Sequence, residues 1–353
     1  MRSNDHRIVV YLPSPLGDAV LCTPALRAIR ERFAKTPITF LARSAIRAAL
    51  SPSPFNDAWL ELSGGNPFVT AHRLGRCGFT QAVLFKNSFG SALMTFLARV
   101  PRRIGYARDG RGWLLTERLQ PARAPDGGYR PVSMVDYYLA IASRLGTDTA
   151  RRDLELHVDP RDIETTRAQL PEVFEGNGPV VILVPGGAFG PSKCWPGERF
   201  AETADQLIET CGATVVLSVA ANAFERQIAG RIVCAARHPL INLGDRPVSI
   251  GQLKALFSRA DLVIANDTGP RHIAIALRRK VITLFGPNDP AWTDTGYPDE
   301  IQIVGQAPCA PCQRPACRKP GHPCMQNITT AQVYEAARGF LRARSRTDAI
   351  CGT

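Results

Sequence analysis

Short apolar runs alternate with runs of helical period along this chain, and their order predicts an α/β protein. Residues 7–12 and 37–42 read as buried strands, with a helix ending near Phe33 between them. Residues 57–62, 81–85 and 102–106 read as further strands, and 134–145 has the apolar spacing of a helix. A polar stretch with proline and glycine, 170–179, breaks this rhythm, which then restarts. Strands are predicted at 180–184, 214–219, 261–265 and 281–285, and helices at 199–209, 224–237, 250–259 and 272–276. This βαβ alternation implies parallel sheets in two domains, 1–172 and 173–328. The remainder, 329–353, is expected to form a helix near 330–344 and a tail, packing back on the first domain.

The ends of the strands carry the candidate chemistry. The strand at 261–265 runs into Asn266-Asp267-Thr268-Gly269 and opens a helix. Such a turn offers freed backbone N–H groups at Gly269, the Thr268 hydroxyl and the positive end of a helix dipole, which together make an anion seat. The plainer alternative is that Asp267 or Thr268 is the N-cap of an ordinary helix. A second junction, 183–196, adds Lys193 to a glycine-rich turn containing Gly190, and two anion-friendly turns in one half of the chain suggest a diphosphate. The first strand also ends in a glycine turn, Leu16-Gly17-Asp18, but the dinucleotide pattern G-x-G-x-x-G is missing there. Asp18 is placed at the carboxyl edge of the sheet, either as an N-cap or free for other work. Thr23-Pro24 is itself a good N-cap and N1 pair, and a helix beginning at Pro24 leaves Asp18 free.

Length and charge narrow the class. With 353 residues, 45% of them hydrophobic, the chain can bury two cores. No apolar run approaches the roughly 20 residues needed to cross a bilayer, and the polar start lacks the apolar core of a signal peptide. A cytoplasmic address is expected. The net charge of +12 implies attraction to anionic partners. Between Arg99 and Arg130 there are eight arginines against three acids, beside Tyr106 and Trp113. Guanidinium forks at this density suit an anionic saccharide bearing carboxylates or phosphates. They also suit anionic lipid, at roughly 1 kcal/mol per basic residue near the surface. Both readings place the protein peripherally at a membrane face.

Several motifs in order resemble glycosyltransferase family 9. They are Leu16-Gly17-Asp18 with Thr23-Pro24-Ala25-Leu26, then Phe189-Gly190-Pro191-Ser192-Lys193-Cys194-Trp195-Pro196, then Asn266-Asp267-Thr268-Gly269-Pro270-Arg271-His272, then Leu284-Phe285-Gly286-Pro287-Asn288-Asp289-Pro290. The chain is most similar to the ADP-heptose:lipopolysaccharide heptosyltransferases, in particular the branch adding the second heptose. Lys86-Asn87-Ser88-Phe89-Gly90-Ser91-Ala92 followed by Pro101-Arg102-Arg103-Ile104-Gly105-Tyr106 resembles that branch too. The resemblance implies the GT-B architecture, two Rossmann-like doubly wound domains facing a central cleft, with the acceptor on the first and the nucleotide sugar on the second. It implies an inverting enzyme that uses Asp18 as general base, ADP-heptose as donor and the lipid-linked inner-core saccharide of lipopolysaccharide as acceptor.

Roles for single residues follow. A carboxylate can accept a proton from a sugar hydroxyl that becomes acidic only as the new bond forms, and Asp18 is the candidate. Lys193, helped by Ser192 and the Gly190 turn, is expected to meet the leaving diphosphate. Thr268 and Gly269 are expected to hold the same phosphates, with Asp267 fixing the turn or reaching the sugar. His272 is either a structural histidine or a further contact. Glu225 either accepts hydrogen bonds from the ribose hydroxyls or simply complements a helix dipole. On the acceptor side the candidates are Arg102, Arg103, Asn87 and Ser88.

Cys309-x2-Cys312-x4-Cys317-x6-Cys324 has the density of a metal or disulfide knot. A cytoplasmic address argues against disulfides. A structural zinc, free thiols and, as a minor option, an iron–sulfur cluster stay open. No cofactor is expected for the chemistry. Other function classes fit less well. A nicotinamide oxidoreductase lacks its glycine fingerprint, and a nucleic-acid binder lacks RNP-like aromatic motifs. Another glycan or protein acceptor within the same family is an alternative, as is a non-catalytic nucleotide-sugar-binding protein; against the latter, Asp18 is the discriminating residue.

Overall fold

The structure, a computed structural model, describes residues 6–62 and 66–350, with side chains through Arg342. The chain divides into two compact units. The first comprises residues 1–157 together with 291–295, and the second 158–290 together with 296–353.

The first unit is built on six parallel strands: β1 (Ile8–Tyr11), β2 (Ile38–Ala42), β3 (Ala58–Glu61), β4 (Gln81–Leu84), β5 (Arg102–Tyr106) and β6 (Glu117–Leu119). Their order is β3-β2-β1-β4-β5-β6. The central strands β1 and β4 are buried along their whole length, as parallel strands covered on both faces must be. Ile8 is in register with Ile38 on one side and Gln81 on the other.

The second unit repeats the plan with β7 (Val180–Val184), β8 (Thr214–Leu217), β9 (Ile241–Asn242), β10 (Leu262–Asn266), β11 (Lys280–Phe285) and β12 (Glu300–Val304). The order is β12-β11-β10-β7-β8-β9, the same winding as the first sheet. In each sheet the chain first winds outward to one side and then to the other. The reversal falls between β1 and β4 in the first unit and between β7 and β10 in the second. Loops at the carboxyl ends of such a pair flank a crevice in which doubly wound folds take their ligands.

The predicted strands are all present, and the three that the hydrophobic pattern does not predict, β6, β9 and β12, are short or half-exposed edge strands. Two boundaries need correction. The unit boundary lies at residue 157, not 172, because the helices Pro160–Gln169 and Pro171–Glu175 belong to the second unit. Gln252 donates to Gln169 (2.8 Å), and Arg246 reaches both Glu172 and the Gln169 carbonyl, so this polar stretch is tied down on the helix Ile250–Arg259 and its preceding loop.

The final helix, Thr330–Ile350, is also part of the second unit and packs within it. Val333, Ala337 and Leu341 recur at helical spacing and enter the core that contains Phe200, Ala204 and Leu207 of the helix Gly197–Cys211. Tyr334 and Thr330 bond the same helix through Thr210 (3.1 Å) and Glu202 (2.7 Å). Ala337 has no exposed surface. Ala337→Leu is therefore expected to overpack this seam and lower stability by about 1–3 kcal/mol, read as a lower urea midpoint. An unchanged midpoint would mean that the helix does not dock there.

Candidate active site

In the first unit, Asp18 follows β1 in the short helix Leu16–Leu21, in its first turn. The sequence expectation placed it ahead of a helix starting at Pro24. Instead the chain forms two helices in succession, the second being Thr23–Arg32. Thr23 does not cap with its side chain, since its hydroxyl donates to the Val20 carbonyl (2.7 Å) and accepts from the Glu155 N–H (3.1 Å). The Asp18 carboxylate still stands at the carboxyl edge of the sheet, near Cys22 and Tyr138. Burial pushes both of those groups up, and the Asp18 charge adds to it.

Across the switch point, the loop after β4 brings Lys86, Asn87 and Ser88 to the same edge. Lys86 donates to the Ser14 hydroxyl of the β1 loop. Burial holds its pKa below the ordinary lysine value, and Arg43, which follows β2, lowers it further. Ser88 is the N-cap of the helix Phe89–Leu97, accepting from the Ser91 N–H (3.2 Å). Asn87 accepts from Arg111 (2.8 Å). Arg111 is fully buried and also donates to the Tyr106 carbonyl (2.9 Å), the Ser91 hydroxyl (3.0 Å) and the Lys86 carbonyl. Burial brings its pKa down to about 10, which leaves it charged at neutral pH. One arginine of the presumed surface cluster is thus an internal strut for the β4 loop.

Arg102 and Arg103 are not brought to this edge. They begin β5, at the opposite, amino-terminal end of the parallel sheet. Arg102 forks onto Glu117 and donates to Gln81 (3.0 Å) and the Arg144 carbonyl (3.1 Å). Arg103 donates to the carbonyls of Leu114 (2.7 Å) and Val100 (2.5 Å). Their guanidinium groups hold the fold together there. Lys86 and Arg43 are cations at the edge that carries Asp18, and sequence reasoning missed both as site residues. The available signal was their position directly after an apolar strand.

In the second unit, the loop after β7 carries Lys193 to Asp267 at the end of β10. The ammonium donates to the Asp267 carbonyl (3.0 Å) and to its carboxylate (2.7 Å), and both side chains are nearly buried. Asp267 also faces Arg271 (3.4 Å) and accepts from Asn288 (3.2 Å). Burial alone would raise the Asp267 pKa, but Lys193 and Arg271 outweigh it and hold the carboxyl below the ordinary range. These bonds tie the β7 loop to the end of β10. Asn266 completes the join, accepting from the Trp195 N–H (3.3 Å) and donating to the Pro185 carbonyl (2.7 Å).

Thr268 and Gly269 lie at the start of the helix Gly269–Ala276. Among the described residues the buried Thr268 hydroxyl has no hydrogen-bond partner, and neither has His272 Nδ1. Burial, then the neighbouring Arg271 charge, pull the His272 pKa down to about 3, so it is neutral at physiological pH. Glu225 follows β8, where one carboxylate oxygen accepts from the Ala220 N–H (2.7 Å). Ser192 requires correction. It is buried, and its hydroxyl donates to the Arg314 carbonyl (2.5 Å) rather than facing the turn's opening.

The segment carrying Cys309, Cys312, Cys317 and Cys324 packs beside this turn. The thiols are free, and Cys324 is buried. Burial raises its pKa, with smaller contributions from the other three. Among the described residues no group of three Cys, His, Asp or Glu side chains is arranged to hold a metal ion.

Comparison with known proteins shows the family and the fold. A model of glycosyltransferase family 9 (heptosyltransferase) matches residues 68–322. Lipopolysaccharide heptosyltransferase 2 of Salmonella typhimurium is 30% identical over 310 residues, 81% of this chain and 84% of that one. The Escherichia coli K12 protein of the same name is 30% identical over 307 residues, with the same coverage. Among solved structures, E. coli ADP-heptose LPS heptosyltransferase II is similar with a TM-score of 0.77 and 26% identity, covering 96% of this chain and 99% of that one. A family 9 glycosyltransferase from Veillonella parvula shares the fold with a TM-score of 0.80 at 21% identity, covering 97% and 99%. Two Rossmann-like units, each a doubly wound parallel sheet, make this a GT-B glycosyltransferase fold. The chain belongs to glycosyltransferase family 9, the heptosyltransferase family.

The buried neutral His272 gives a pH dependence with a definite sign. Its folded pKa lies below the unfolded value near 6.5, so the unfolded state binds the extra proton first. Stability is then full above about pH 6.5 and falls as pH drops, by up to about 1.4 kcal/mol per unit for one proton. Urea midpoints between pH 7 and 4.5 are expected to fall along this slope, and His272→Gln to flatten it. An equal slope in the variant would assign the loss to other groups.

Proposed function

We propose that this enzyme transfers a heptose from ADP-heptose to the inner-core saccharide of lipopolysaccharide, with inversion at the anomeric carbon and Asp18 as general base. The observation that carries the reading is the placement of Asp18 at one switch point and of Lys193 with Thr268 at the other. The names of the similar proteins supply the sugar and the acceptor class. In this scheme the acceptor oxygen forms the new bond to the anomeric carbon as the bond to the diphosphate breaks, through a transition state with oxocarbenium character. The hydroxyl proton passes to Asp18, and the bonding pair leaves with ADP.

The side chains fit those roles. Lys193 uses two N–H directions on Asp267 and keeps a third for a phosphate oxygen. The unpartnered Thr268 hydroxyl and the Gly269 N–H at the helix start are further donors. Glu225 holds the Ala220 N–H with one oxygen and offers the other to ribose hydroxyls. On the acceptor side, Lys86 and Arg43 take the part first given to Arg102 and Arg103, with Asn87 and Ser88 shaping the loop. No step uses a metal or organic cofactor, and a zinc ion at the cysteine segment would be structural. Among the described residues no helix is long and apolar enough to cross a membrane. We place the enzyme on the cytoplasmic face, held peripherally by its basic surface and lipid-linked acceptor.

Asp18→Asn is expected to lower turnover by about 100-fold or more, while calorimetric affinity for ADP stays near wild type. Near-normal turnover would remove Asp18 from the mechanism. Lys193→Ala is expected to lose about 2–4 kcal/mol of transition-state stabilisation, read from kcat/KM. Unchanged kinetics would leave the lysine a purely structural partner of Asp267. Mass-detected transfer to truncated lipopolysaccharide cores, against other glycans and proteins, decides the acceptor.

A further inference from the structure

The cysteine segment touches the phosphate-side turn through a dense set of bonds. The Ser192 N–H donates to the Pro315 carbonyl (3.2 Å), the Ser192 hydroxyl to the Arg314 carbonyl (2.5 Å), and His322 Nε2 donates to the Ser192 carbonyl (2.7 Å). The residue preceding Lys193 is thus held by the segment at its N–H, its side chain and its carbonyl. A further bond, from the Gln313 N–H to the Pro287 carbonyl (2.8 Å), anchors the segment to the loop after β11.

The backbone of both partners is shaped for this approach. Gly190 has φ +143°, and a Cβ there would run into the Pro315 carbonyl oxygen. At Gly286 a Cβ would collide with Met325 and come within 3.2 Å of the Cys324 sulfur. His322 and Gln313 themselves lie in the left-handed region, with φ of 48° and 52°. For non-glycine residues that conformation is strained. Each of these strained residues makes one of the bonds just described.

We propose that the segment from Cys309 to Cys324 is a positioning element of the nucleotide-sugar site. Its Arg314, Pro315 and His322 hold Ser192 so that Lys193 stays aimed, and opening of the segment and binding of the nucleotide are linked. This rests on the nucleotide-binding reading of the Lys193 turn. Linkage is reciprocal: if the closed segment favours the nucleotide, bound nucleotide must suppress opening of the segment.

Cys324, only 4% exposed, reports opening, because its thiol can be alkylated only when the segment lifts. The experiment is iodoacetamide labelling of the whole chain with peptide-level mass detection, with and without ADP at about 100 times its calorimetric Kd. Labelling of Cys324 is expected to slow at least tenfold, toward a ceiling of about 100-fold, while exposed Cys234 is unchanged. Binding heat with an unchanged Cys324 rate overturns the linkage alone. Equal slowing of Cys324 and of Cys22, fully buried in the first unit, means that only global unfolding was reported and also overturns it. No binding heat for ADP overturns the nucleotide-binding reading itself, and this proposal with it. In a second arm, His322→Leu is expected to raise the ADP Kd roughly tenfold, as loss of one hydrogen bond allows, with the acceptor KM unchanged. His322→Gln, which can still donate, is expected to restore most of the affinity. A Leu variant with wild-type Kd overturns the positioning role.

Discussion

The ion pair between Lys193 and Asp267 is the interaction on which the second unit's site depends. One partner arrives from the β7 loop and the other from the end of β10, so the pair closes the switch point from both sides. Taking the carboxylate away leaves the nearly buried Lys193 ammonium uncompensated, a penalty of about 3–5 kcal/mol, whereas without Lys193 the carboxylate keeps Arg271. The pair does not stand alone. Asp267 faces Arg271, and Arg271 forks onto Glu300 of β12 at 2.6 and 3.0 Å. Charge compensation therefore runs from the β7 loop to the edge strand, and the turn's conformation is set by electrostatics as well as by backbone.

The first unit solves the same problem with different chemistry. Its switch-point loop is held by Arg111, a buried cation whose described partners are carbonyl, hydroxyl and amide oxygens rather than a carboxylate. Distributing the charge over several dipoles keeps the guanidinium satisfied without a carboxylate among these hydrogen-bond partners. A carboxylate there would compete with Asp18 for the nearby cations and raise its affinity for a proton before the reaction begins. The amino-terminal edge of the same sheet has no such constraint, and there Arg102 does take a carboxylate partner, Glu117.

Much of this was legible in the sequence because strand-to-turn junctions are local. Asp18, Lys193, Thr268 and Gly269 all follow apolar runs, and the parallel winding carries them to carboxyl edges without further information. The misreadings concern position along a strand and long-range pairing. Arg102 and Arg103 look like site residues in a basic cluster, yet they begin a strand where Asp18 follows one. Ser192 sits beside Lys193 in sequence, but its hydroxyl is taken by Arg314, 122 residues away. The polar stretch 170–179 looks like a domain boundary, yet Glu172 within it and the Gln169 carbonyl just before it are both bonded by Arg246. Composition records that such groups are polar; only the fold shows what they are bonded to.

Residues 291–295 belong to the first unit, although the chain on either side of them belongs to the second. The Ser133 hydroxyl, which caps the helix Met134–Ser143, donates to the Asp294 carbonyl at 2.5 Å. The unit that begins the chain is therefore not a contiguous piece of it. During synthesis this last part leaves the ribosome only after β7 to β11 have been made, so the first unit gains the Ser133–Asp294 bond only after most of the second has emerged. A fragment cut at residue 157 would be a sheet without its strap.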